Sequence, residues 1–280
     1  MTTPTGSERV GTQATEHPLR SPDGLGPVRP GGVTIVAGVA SVVTVAGMIA
    51  TPLLPQGGTA RRVLSTVVVV GSFTTTTANA IRRWGAPRTV AAATVTAVAT
   101  TAVERIGTQT GVPFGRYRYT TALQPQVAHV PAIVPLAWFA MGLPARESAH
   151  AALGHRSNAV TRGALGSAAL TAWDLFLDPQ MVGEGYWVWA RRGIYRGIPL
   201  GNFAGWFLTG VGVMAILEAL LPPSEYPPDA DGALVGEYAY MGVMETIGFA
   251  RYFRDPVVAI AGGLAMLPIA ASAIVGKLRD

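Results

Sequence analysis

The chain has 280 residues, of which 49% are hydrophobic and only 13% charged, about half the charge of an ordinary globular protein. Its net charge is +5 and its pI about 9.9. The 21 basic residues nevertheless sit in short connections between apolar runs, and no run of Arg or Lys exceeds two, which is membrane anchoring rather than nucleic-acid binding. Cysteine is absent, so a disulfide framework and a thiolate metal site are excluded.

Residues 1–32 are rich in Pro, Gly, Ser and Thr and lack an apolar run, which reads as a disordered tail. No basic segment leads into a short apolar one with a cleavage site, so a removable signal peptide is not expected. Residues 33–280 read as a single all-α domain, a polytopic integral membrane bundle of seven or eight transmembrane helices. The reason is that apolar runs near the roughly 20 residues of a spanning helix recur throughout. Residues 33–54 form a clean span, and residues 63–81 follow, polar in their second half through SFTTTTANA. Residues 89–103 reach full length only by including Glu104 and Arg105. Residues 127–143 hold Pro131 and Pro135, which are expected to kink the helix. Residues 163–177 are apolar except for Asp174, and residues 203–221 carry Glu218 near their end. Residues 233–253 enclose Glu237 and Glu245, and residues 256–275 are clean.

Basic residues do not set the orientation: 11 lie in the tails and even-numbered connections and 10 in the odd-numbered ones. The connection PPSEYPPDADGA has three acids and no base, which favours placing it outside and the odd-numbered connections in the cytoplasm. Alternation alone brings the odd-numbered connections to one face. Three of those four carry the unusual motifs.

AWDLFLDPQ places Asp174 and Asp178 four residues apart, on one face of a helix, and Pro179 predicts that this helix ends near Asp178. Two adjacent carboxyls resist double ionisation and burial near lipid favours the neutral acid, so one of the pair suits a general acid. The competing reading is an interfacial helix end paired with Arg191, Arg192 or Arg196. Glu104 runs into ERIGTQTGVPFGRYRYT, where Arg116, Tyr117, Arg118 and Tyr119 supply donors; otherwise it caps the helix with Arg105. Glu245 shares a helix face with Tyr238, Met241, Phe249 and Tyr252, which suits an internal pocket or a packing hydrogen bond. Tyr186, Trp187, Trp189, Tyr195, Phe203 and Trp206 form either a headgroup-level belt or a set of faces that stabilise a cation. Asn202 either caps the helix it begins or orients a water. No HxxHH cluster, GxSxG, GxxxxGK[ST] or GxGxxG opening a βαβ unit is present. The inventory suits acid catalysis on a lipid-dissolved substrate with no cofactor and no metal. It equally suits a prenyl transferase in which aspartates hold Mg²⁺.

Taken together and in order, ERIGTQTGVPFGRYRYT, AWDLFLDPQ, GYWVWA and YRGIPLGNFAGW resemble the motifs of the membrane carotenoid biosynthesis family. That family includes γ-carotene 1′,2′-hydratases and bisanhydrobacterioruberin hydratases. The resemblance is strongest over residues 104–206, and the apolar layout agrees through the C-terminus. It implies a carotenoid hydratase, a C–O lyase that adds water without a cofactor to the terminal isopropylidene double bond of a ψ-end group, giving a tertiary alcohol. On that reading Asp174 or Asp178 donates the proton and its partner tunes it, while Glu104 and Glu245 position or deprotonate the water. Trp187, Trp189, Tyr195 and Trp206 line the chain end or stabilise the cation, and Tyr117 and Asn202 complete the substrate-binding set. The implied partners are a carotenoid such as lycopene or γ-carotene, the lipid bilayer and other carotenoid biosynthesis enzymes, with no nucleic acid. The prenyltransferase alternative lacks a second Asp cluster, since Asp229 and Asp231 fall in a Pro-rich loop. A carotenoid carrier or scaffold is the non-enzymatic alternative. The +5 charge is unlike an acidic haloarchaeal surface and points to a bacterial cell membrane.

Overall fold

A computed structural model describes residues 30–223 and 230–279. The expected disordered tail therefore lies, up to residue 29, outside the described residues, as do residues 224–229 of the acidic connection. Eight α-helices run through the described residues: α1 (Pro30–Ala50), α2 (Thr59–Trp84), α3 (Ala86–Thr110), α4 (Ile133–Leu153), α5 (Ala159–Gly183), α6 (Leu200–Leu220), α7 (Gly232–Arg251) and α8 (Pro256–Arg279). Short strands β1 (Tyr117–Tyr119), β2 (Gln126–Val127), β3 (Val130–Pro131) and β4 (Trp187–Trp189) lie in two of the connections. The fold is the expected all-α polytopic bundle, with α1 starting three residues before the apolar run.

Helices α1, α2, α6 and α8 are long and apolar enough to cross a membrane by length and composition. The other four carry charge inward: Glu104 on α3, Arg146 and Glu147 on α4, Asp174 and Asp178 on α5, and Glu237 on α7 are all buried. Helix α4 is the hub, packing against α2, α3, α5, α6, α7 and α8. Helix α1 leans chiefly on α2 and leaves Ile35, Val39 and Val42 exposed, an apolar face that suits lipid. The polar half of α2 is explained by its burial. Thr74 and Thr75 donate back to the carbonyls of Val70 and Gly71, Ser72 donates to Glu237 at 3.0 Å, and Thr76 Oγ1 lies 3.0 Å from the same carboxyl.

Two expectations about proline are corrected. Pro131 lies in β3 and Pro135 in the first turn of α4, where no intrahelical amide bond is required, so neither kinks the helix. Helix α5 does not end near Asp178 but continues through Pro179 to Gly183. A proline inside a helix leaves the carbonyl four residues back without its amide donor. Behind Pro179 that carbonyl belongs to Leu175, and the Tyr195 hydroxyl donates to it at 2.8 Å. Behind Pro144 of α4 it belongs to Ala140, and Thr76 donates to it at 2.9 Å.

Chain alternation carries the α1–α2, α3–α4, α5–α6 and α7–α8 connections to one face, where they interlock. Gln56 donates to the Gly183 carbonyl at 2.6 Å, and Arg61 meets Glu184 at 2.6 Å. Strand β1 pairs antiparallel with β4, setting Tyr117 opposite Trp189 and Tyr119 opposite Trp187. Arg196 meets Asp255 at 2.5 Å. The segment after α3 lies directly on α6: a Cβ at Gly205 would stand 2.7 Å from the Pro113 carbonyl oxygen, an approach open only to glycine.

Candidate active site

Strand residues alternate between faces, and the β1–β4 ladder uses this to build a lid. Tyr117, Trp187 and Trp189 are buried and Tyr119 half-buried beneath it, while Arg118 and Val188 point outward. Below lies a chamber into which Glu104, Asp178, Asn202 and Trp206 also project.

One corner of this chamber is a bridged acid pair. The Asn202 side-chain amide donates to Asp174 Oδ2 at 2.8 Å and to Asp178 Oδ2 at 2.6 Å. Trp187 Nε1 donates to Asp178 Oδ1 at 2.5 Å, whereas Asp174 Oδ1 has no hydrogen-bond partner among the described residues. Asp178 lines the chamber, and Asp174 stands one helical turn behind it. Glu104 lines the same space and gathers three donors: Tyr117, Tyr119 at 2.7 Å and Trp138 at 3.2 Å. Burial, and the Glu104 carboxyl beside them, push both tyrosine hydroxyls far above the usual tyrosine range, so they remain protonated donors. Aromatic faces close the rest. Trp138 stacks on Trp206 at 4.1 Å and Tyr117 tilts against Trp189 at 5.1 Å, while Trp173, on the adjoining chamber, backs Trp206 edge-on at 6.1 Å.

Several competing readings fall away. Asp174 and Asp178 bond to Asn202 and Trp187, and Arg196, one of the three arginines considered as their partners, goes to Asp255. Glu104 faces inward to its three donors rather than capping α3. Pro199 is the N-cap of α6, so Asn202 serves the carboxyls instead of capping. Trp187, Trp189, Trp206 and Tyr186 are buried rather than forming a headgroup belt.

Two expected residues stand apart. Tyr195 lines neither this chamber nor the adjoining one; its hydroxyl repairs the break at Pro179 and its ring meets Phe203 edge-on at 5.5 Å. Glu245 lines an adjoining chamber with Met241, Met244 and Phe253, away from the other three acids. Sequence reading passed over Trp138, an α4 residue on the chamber wall that bonds Glu104. Its sequence signal was faint, a lone tryptophan in an apolar run. Among the described residues, no three of His, Cys, Asp or Glu are grouped to hold a metal ion.

The fold and site define a class: a helical bundle with buried carboxyls and indoles lining an internal chamber. Residues 58–270 match the family described as carotenoid biosynthesis protein, and the chain belongs to that family. A curated relative, the bisanhydrobacterioruberin hydratase of Haloarcula japonica, is 34% identical over 110 residues, covering 39% of this chain and 37% of the relative. The match thus spans little more than a third of that relative's length. No solved structure matches.

Proposed function

We propose that this protein is a carotenoid hydratase, adding water to the terminal double bond of a ψ-end group within a multi-pass bundle in a bacterial cell membrane. The observation that carries this reading is the Asp174–Asn202–Asp178 unit facing the same aromatic chamber as Glu104. Asp178 lines the chamber, so it donates the proton, and Asp174 supports it through Asn202. The proton goes to the CH carbon of the isopropylidene group and leaves a tertiary cation on the dimethyl carbon. Trp187, Trp189 and the stacked Trp138–Trp206 pair offer their faces to that cation. Water forms the new C–O bond, Glu104 takes one proton from it, and return of that proton to Asp178 resets the site.

The prenyltransferase reading is weaker. The hydrogen bonds seen to Asp174, Asp178 and Glu104 come from N–H or O–H donors, and among the described residues no third acid or histidine joins the aspartate pair as a cation ligand. Hydration should therefore survive EDTA.

The test is expression in bacteria that make lycopene or γ-carotene, with pigments analysed by chromatography and mass spectrometry. A product heavier by one water is expected, missing in Asp178→Asn at equal protein level. Unchanged pigments in every host would sink the hydratase reading.

A further inference from the structure

The acid chamber is not isolated. Val69, Ile133, Ala137, Leu177 and Met181 line both it and the adjoining, larger chamber. The two spaces therefore meet along a seam formed by α2, α4 and α5. None of the five is fully buried although all lie inside the bundle, as expected of side chains that face open space on either side.

The chambers differ in chemistry. The acid chamber holds Glu104, Asp178 and Asn202. The larger one is walled mainly by apolar side chains, five of them methionines: Met48, Met141, Met181, Met241 and Met244. Methionine is flexible and polarizable and adapts to irregular apolar shapes. Of the large chamber's polar residues, Ser72 spends its hydroxyl on Glu237, outside the cavity lining. Ala137, the smallest side chain at the seam, sits beside Trp138, whose indole bonds Glu104.

We propose that the methionine-lined chamber is the polyene subsite and that the seam at Ala137 passes the reactive chain end into the acid chamber. This rests on the hydratase reading and adds to it where the unreacting part of the substrate lies. A rigid polyene extends well beyond the chain end that reacts, and the space across the seam offers it a mainly apolar wall, interrupted by Thr51, Ser65, Gln180, Tyr186 and Glu245. Selection among carotenoids then lies in residues outside the Asp178–Glu104 site: those next to the reacting end at the seam, and those farther along the chain on α7.

The test separates binding from chemistry. Asp178→Asn protein, unable to donate the proton, is purified in mild detergent from lycopene-producing bacteria, and bound pigment is measured by absorbance per protein. Ala137→Phe and Met244→Trp are added singly to fill the seam and the large chamber, with size-exclusion profile and melting temperature confirming the fold. Each folded variant should lose bound lycopene at least tenfold, and in the active background each should lose hydration with the carboxyls untouched. A folded variant that keeps its full pigment load overturns the proposal. Wild-type protein that binds lycopene but never hydrates it would instead strike the hydratase reading and leave the subsite standing.

Discussion

The Tyr195 hydroxyl donates at 2.8 Å to the carbonyl of Leu175, the one that Pro179 deprives of its helical amide. The bond lets α5 run on for four residues beyond Pro179 and tie its end to the α1–α2 connection through Gly183 and Glu184. Removing the hydroxyl with Tyr195→Phe should cost about 1–3 kcal/mol, the range for leaving a sheltered polar group unpaired. Pro179→Ala restores the amide, so in that background the same substitution should cost much less. Melting temperatures in detergent for the four proteins of this double-mutant cycle measure the coupling. Equal losses in both backgrounds would remove the proline explanation.

Helix content was legible because lipid-depth helices need long apolar runs, and the runs at residues 33–54 and 256–275 were unmistakable. The course of α5 was not legible. A proline reads as a stop until a donor from elsewhere occupies the freed carbonyl, and Tyr195 lies 20 residues away in sequence. The acid pair and Asn202 were visible as residue types, but their bridge depends on how α5 and α6 pack. The β1–β4 lid was present as the period-two patterns YRY and WVW, each too short to signal a strand. Glu237 was visible only as an acid enclosed by residues 233–253, and its place is explained by α2, which brings Ser72 and Thr76 against it.

Asn202 touches both aspartates, so it is expected to position the acid rather than react. Asn202→Ala should lower the hydration rate about 100-fold, the lower part of the span ascribed to general acid catalysis. Because Asn202 also lines the chamber beside the carboxyls and not the polyene space, bound lycopene should change little. Initial rates and pigment retention on the same preparations check this. A loss of pigment equal to the loss of rate would make Asn202 a binding residue.

Glu104 is held by three side-chain donors, which permits a graded test of the base role. Glu104→Gln keeps the shape but removes the proton acceptor and should reduce turnover by about 100-fold or more. Tyr119→Phe removes one donor and leaves Tyr117 and Trp138 in place, so its loss should be nearer tenfold, the size of one hydrogen bond to a charged group. Rates from both variants in the same carotenoid-producing host decide it. A harsher effect from Tyr119→Phe than from Glu104→Gln would move the essential proton transfer from the carboxyl to the tyrosine.

Glu245 separates the two-chamber account from a scheme in which every intramembrane acid takes part. It lines the large chamber with Met241 and Met244, while Glu104 and Asp178 line the other, and proton transfer requires hydrogen-bond reach or one intervening water. Glu245→Gln preserves the side-chain volume, so the polyene should still fit. The expected result is turnover within about tenfold of wild type, carried mostly by the apparent KM, against near-complete loss for Asp178→Asn. Initial rates across a range of lycopene concentrations in proteoliposomes provide the comparison. If Glu245→Gln instead abolishes turnover and leaves lycopene binding intact, the proton path extends through the seam. Hydration would then have to be rewritten with Glu245 as the acid or base.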